Sequence, residues 1–292
     1  MTTLSCIARV KRTNDYDYKR PPNFPLFVFA SFTGDRSGSM TSMIDGITNA
    51  PASGLYDFVT EQCKNSIIVG QECYISATTF DDKMETVVNN VKSTKLNISY
   101  RDCVKWMTPR NSTKLYDTSI KCLNDLKKNS KTFEQSLSKK VQNLNPKIVK
   151  IWALLTDGHD NASFANSSDL HRTVTEARNE GVTCYFLAAN QDACSVGENY
   201  GFSIDNSLTF DSTPEFAPQA MRAVNENVLR TSSLGISTPF TQLQRESSCG
   251  VNNITTIPTM MHAVSTPLPP TTFNQQNSFV TPPPILRQSN MS

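Results

Sequence analysis

The clearest pattern in the chain is a set of apolar runs without alternation, each ending in small polar residues. Residues 26–32 (LFVFASF), 151–155 (IWALL) and 183–188 (TCYFLA) read as strands buried on both faces, because a strand with one wet face would alternate apolar and polar positions. Between the runs, apolar residues recur mostly at three- and four-residue spacing: Met43, Ile44 and Ile47; Leu55, Phe58 and Val59; Ile120, Leu123 and Leu126 after Leu115; Leu170, Val174 and Ala177; Phe216, Ala220, Val224 and Val228. These predict amphipathic helices. Residues 40–49 and 54–63 are expected as two separate helical pieces, because Pro51 lacks an N–H and clashes with the preceding turn. Residues 72–80 and 85–91, joined by a polar turn at 81–83, predict an antiparallel pair whose second strand lies at an edge, and 207–210 a short last strand. The alternation as a whole predicts an α/β domain with a three-layer, doubly wound, Rossmann-like architecture: a mostly parallel sheet with one antiparallel edge strand, covered by helices on both faces.

Candidate chemistry sits where the first run ends. Residues 35–39 read DRSGS, and side chains two apart in an extended segment point the same way, so Asp35, Ser37 and Ser39 are expected to converge, with Gly34 and Gly38 allowing a sharp turn. Oxygen-only donors suit a hard cation such as Mg2+. Taken alone, Ser39 could equally cap the helix expected from Thr41. Two further stretches favour the metal reading: NSTKLYD at 111–117, with Thr113 just before a helix, and LLTDGHD at 154–160, with Asp157 at the end of the second buried run.

These stretches together resemble the von Willebrand factor A (VWFA) domain. That family builds a metal-ion-dependent adhesion site (MIDAS) from D-x-S-x-S, a distant Thr and a distant Asp, which here fall on Asp35, Ser37, Ser39, Thr113 and Asp157. The order DRSGSM, TFDD, PRNSTKLYD, LLTDGHDNAS and FLAANQDA is similar to an intracellular, bacterial-type branch and covers roughly residues 25–230. His159 stands where the family often has an acidic residue. The resemblance implies Mg2+ or Mn2+ as the cofactor, touched by Ser37, Ser39 and Thr113, with Asp35 and Asp157 holding its waters. It implies a metal-dependent protein-binding module whose partner presents an Asp or Glu to the ion. A metal-dependent hydrolase is the competing class, but the chain has three histidines and no H-E-x-x-H, G-x-S-x-G or phosphate-loop motif, so no enzyme activity is expected. A scaffold with an unused site is the third reading.

Composition adds domain limits. Net charge is +2 with both signs mixed, which gives no sign of nucleic acid or a membrane surface as partner. The eight cysteines are scattered without C-x-x-C and are expected as reduced thiols, several of them in apolar strand or helix positions. No signal peptide or run of about 20 apolar residues is evident, and the sequons at Asn111 and Asn161 lie in proposed metal loops that a glycan would block, so a cytoplasmic location is expected. Seven lysines at 127–150 read as a solvated helix face. Residues 1–24 are expected as a polar leader and 25–230 as the domain. Residues 231–292, with eight of the sixteen prolines and three charges, are expected as a disordered tail.

Overall fold

The computed structural model describes residues 26–249, so the expected leader and residues 250–292 of the expected tail lie outside the described residues. Six strands form one sheet in the order β3-β2-β1-β4-β5-β6. They are β1 (Leu26–Asp35), β2 (Glu72–Phe80), β3 (Met84–Lys92), β4 (Lys147–Thr156), β5 (Val182–Ala189) and β6 (Ser207–Phe210). All neighbours run parallel except β2 and β3, whose ladder is antiparallel and irregular near Ala77. The doubly wound sheet with its antiparallel edge strand is therefore as expected.

The central strand β1 shows why the apolar runs do not alternate. Val28, Ala30 and Phe32 enter one core layer and Phe29 the other, so both faces are sealed. The first layer is covered by α1 (Ala50–Ile68), α2 (Tyr100–Trp106) and α7 (Ala217–Leu234). The second is covered by α3 (Leu115–Ser136), followed by the short α4 (Lys139–Gln142), and by α5 (Ser167–Asn179) and α6 (Ala193–Asn199). After β1 the chain first builds outward through β2 and β3, and then returns to lay β4 on the other side of β1. That reversal leaves a crevice beyond the carboxyl ends of β1 and β4, the usual place for ligands in such sheets.

Two expectations need correction. The stretch 49–54 does not interrupt a helix but starts one: the Asn49 side chain accepts the Ala52 N–H at 3.0 Å, and Pro51 stands in the first turn, where its missing N–H costs nothing. Gly54 serves close packing, since a Cβ there would lie 2.5 Å from Met221 Sδ on α7. Before α1 there is only a 3-10 turn at Gly38–Met43.

The boundary expected at 231 is also displaced. Helix α7 runs through Leu234, and α8 (Gln242–Ser248) follows, opened by a Thr241/Gln244 capping box. Thr231 and Ser232 are fully buried, and Phe240 packs edge-on against Tyr185 at 5.6 Å. The Tyr185 hydroxyl lies 2.7 Å from Thr231 Oγ1 and donates to the Thr238 carbonyl at 2.9 Å, while the buried Arg245 donates to the carbonyls of Ser207 and Ile204. A Ser- and Thr-rich composition reads as disordered because those hydroxyls favour water. Here they satisfy one another inside the fold.

Candidate metal centre

Strand β1 delivers Asp35 fully buried at its last position, and backbone clips then fix everything around it. Arg36 N–H donates to the Phe80 carbonyl at 2.8 Å, Arg110 N–H to the Arg36 carbonyl at 2.7 Å, and Gly38 N–H to the Asn111 carbonyl at 3.0 Å. The loop before α3 is thus tied directly to the DRSGS segment. Neither Gly34 nor Gly38 takes the left-handed conformation, and Ser37 and Ser39 are not on an extended strand. Asp35, Ser37 and Ser39 converge through a bend instead: Asp35 Oδ1 accepts the Ser37 N–H at 2.7 Å.

A chain of short contacts links four of the five candidates. Ser39 Oγ donates to Asp157 Oδ1 at 2.8 Å, so its only proton is used, and Ser37 Oγ must be the donor across the 3.1 Å contact between the two serine hydroxyls. Asp35 Oδ2 accepts from Thr156 Oγ1 at 2.7 Å, which joins the end of β1 to the end of β4. The fifth candidate, Thr113, is buried and comes from the third stretch. Its N–H donates to Asn161 Oδ1 at 2.7 Å and its carbonyl accepts the N–H groups of Asn161 and Ala162. A Cβ built on Gly158 would stand 3.8 Å from Thr113 Oγ1 and 3.9 Å from Ser39 Oγ. The two hydroxyls therefore both lie beside Gly158, at ordinary contact distance from one point.

Electrostatics set this spot apart. Burial pushes the Asp35 carboxyl up to about 6 from an ordinary value near 3.8, against the pull of its bonds from Thr156 and Ser37. Burial also raises Asp157, opposed by its bond from Ser39. Among the described residues no group of three or more His, Cys, Asp and Glu could hold a metal ion, so a cation here would rely on hydroxyl oxygens as well as the two carboxylates. That set of neutral and anionic oxygens fits a hard divalent cation. His159 is exposed and joins none of these contacts.

Sequence reasoning missed the parts that hold the centre in place. Arg36, 2% exposed, donates to Asp81 Oδ2 at 3.2 Å, to Glu85 Oε2 at 2.8 Å and to the Trp106 carbonyl at 3.1 Å. Arg110 completes the cluster with bonds to the same Asp81 and Glu85. The bonds from Arg36 and Arg110 pull the Glu85 carboxyl down to about 2. The Asp81 turn is thus an ion-pair anchor under the Thr113 loop, and Lys114 N–H donates to its carbonyl. The loop at 157–166 is braced in turn. Asp160 accepts from Tyr116 and Ser163, and Asp117 accepts from Phe164 and Ala165. It presents Phe164 almost wholly to solvent, 95% exposed, with Lys114 Nζ 4.9 Å from the ring centre. Only the asparagine and aspartate content of these loops signalled such bracing.

No protein family known from sequence matches the chain, and no curated protein does. Solved structures do resemble it. The proximal thread matrix protein 1 of the mussel byssus, with a zinc-occupied MIDAS motif, is 18% identical at a TM-score of 0.43, covering 70% of this chain and 48% of that one. The chain's own sheet order, with helices on both faces, gives it a doubly wound α/β fold. The SpRpn10 VWA domain (11% identical, TM-score 0.41, 65% and 91% covered) and a von Willebrand factor type A protein from Catenulispora acidiphila (13%, 0.41, 71% and 43%) are further neighbours. The chain spans about half the length of the mussel proteins it is similar to. Among the described residues no helix is long and apolar enough to cross a membrane.

Proposed function

We propose that the chain is a protein-binding module that works through a divalent cation, Mg2+ or Mn2+, at the carboxyl ends of β1 and β4. Ser37, Ser39 and Thr113 would hold the ion directly, and Asp35 and Asp157 would orient its waters. When bound, the ion would supply an electrophilic position that a carboxylate of a partner protein fills. The observation that carries this reading is the convergence of three separate stretches: the Asp35–Ser37–Ser39–Asp157 chain of contacts, with the Thr113 and Ser39 hydroxyls both beside Gly158.

The role of each residue follows from its chemistry. Hydroxyl ligands leave a cation's charge largely uncompensated, which favours an incoming anion over a neutral group. The bonds from Thr156 and Ser37 fix the Asp35 carboxylate, and misorienting such a group typically costs about 10- to 100-fold in metal affinity or activity. Phe164, presented beside the Thr113 loop, would give the partner an apolar contact next to its acidic residue. We assign no residue a catalytic role.

The test is affinity capture from the native source in Mg2+ and in chelator, using wild-type protein and Thr113→Ala. Partners held by wild type in Mg2+ and lost both in chelator and with the variant are expected. A set of partners that is identical in all arms would refute the proposal.

A further inference from the structure

A second candidate binding site lies at the other end of the sheet. Residues 127–150 hold seven lysines against the single acid Glu134, a net of +6 within a chain of net +2, so the rest of the chain carries a net of −4. The charge is gathered rather than spread. A cavity of about 640 Å³ at the foot of α3 is lined by Lys127, Lys128, Lys131 and Lys150 against Glu134 and Glu180, with Ile148 and Pro146 between them. It continues past Lys131 and Pro146 into a second hollow of about 380 Å³, lined by Gln135, Leu137, Gln142 and Asn145. Lys131 is 16 residues along α3 from Leu115, at the end of the helix away from Thr113, a rise of about 24 Å.

Two of the lysines are already committed. Lys127 pairs with Glu180 at 2.7 Å and Lys150 donates to the Glu180 carbonyl, so this end of the groove is held in shape. Lys128 and Lys131 are exposed and have no ion pair among the described residues. The groove therefore presents the free charge of Lys128 and Lys131 at one end, amide side chains at the other, and apolar surface from Ile148, Pro146 and Leu137 along its length, with Glu134 the one acid shared by both hollows, so a ligand's carboxylates belong at the lysine end.

We infer that this groove binds an extended acidic peptide segment, independently of the metal centre. Ammonium groups suit carboxylates as point charges, and the Gln and Asn amides can satisfy both the N–H and the C=O of a peptide backbone. The apolar strip takes an aliphatic side chain of the ligand. A nucleic-acid strand fits less well: no arginine or aromatic ring lines either hollow, so base stacking and bidentate phosphate contacts have no donors.

The experiment is a titration of the isotopically labelled full chain with an oligoglutamate peptide, followed by NMR in chelator, so that no cation can recruit the peptide elsewhere. Wild type is compared with the double variant Lys128→Glu/Lys131→Glu. Both positions are exposed, so the fold is retained. Saturable shifts at residues 127–150 are expected, weakening as salt rises, with affinity at least about tenfold lower in the variant because two attractions become repulsions. Oligouridylate is titrated in parallel. Undiminished peptide binding in the variant, shifts centred on the metal loops, no saturation, or tighter binding of oligouridylate than of the peptide would each overturn the inference.

Discussion

Asp35 accepts hydrogen bonds on both carboxylate oxygens, and burial still holds its carboxyl near 6. The folded chain binds this proton more tightly than the unfolded chain does. Its contribution to stability is therefore fully present below about pH 4 and lost as pH rises through about 6. In chelator above pH 7, Asp35→Asn should then be more stable than wild type by roughly 2 kcal/mol: about 1.4 kcal/mol per tenfold change in proton affinity makes the rise from 3.8 to about 6 worth roughly 3, less about 1 for the acceptor that the amide NH2 removes. Urea unfolding at pH 5 and pH 8 checks this: the gain should be larger at pH 8, and a variant less stable than wild type there would contradict it. Arg36 behaves oppositely. Arg36→Ala should cost about 3 kcal/mol or more, since Asp81, 1% exposed, keeps only Arg110 as a cationic partner among the described residues. The D-x-S-x-S stretch was visible as a spacing and Thr113 and Asp157 came from the family resemblance; the structure links Asp35, Ser37, Ser39 and Asp157 in one chain of contacts. The cluster of Arg36, Asp81, Glu85 and Arg110 was not visible in the sequence, because it exists only once the β2–β3 hairpin is laid beside β1.

At the scale of elements, the buried strands were readable, since an apolar run sealed on both faces needs no tertiary information to be recognised. Helices α2, α6 and α8 were missed: at seven residues each, they span two turns and carry too few periodic positions. Pro51 was read as a breaker when it is an initiator, and the difference lies in Asn49, whose side chain caps the turn. The segment 231–249 carries the sharpest consequence. Phe240→Ala should lower stability by about 3 kcal/mol, as expected for truncating a buried aromatic. A chain ended at Arg230 should lose more, because Thr231, Phe240 and Arg245 leave together. Thermal unfolding of both proteins tests this, and a chain ended at Arg230 with wild-type stability would show that α8 is dispensable.

Across the whole molecule, the two ends of the sheet carry opposite chemistry: buried carboxylates and hydroxyls beyond the carboxyl ends of β1 and β4, and lysines at the foot of α3. The central claim is that one divalent cation is held by residues from three distant stretches. It is tested most directly by adding Mn2+ to isotopically labelled protein and mapping paramagnetic broadening of the backbone amides by NMR. Broadening should begin together at 35–39, 112–114 and 157–159, be displaced by excess Mg2+, and vanish in Ser37→Ala. Broadening confined to other loops, or persisting unchanged in Ser37→Ala, would contradict the claim.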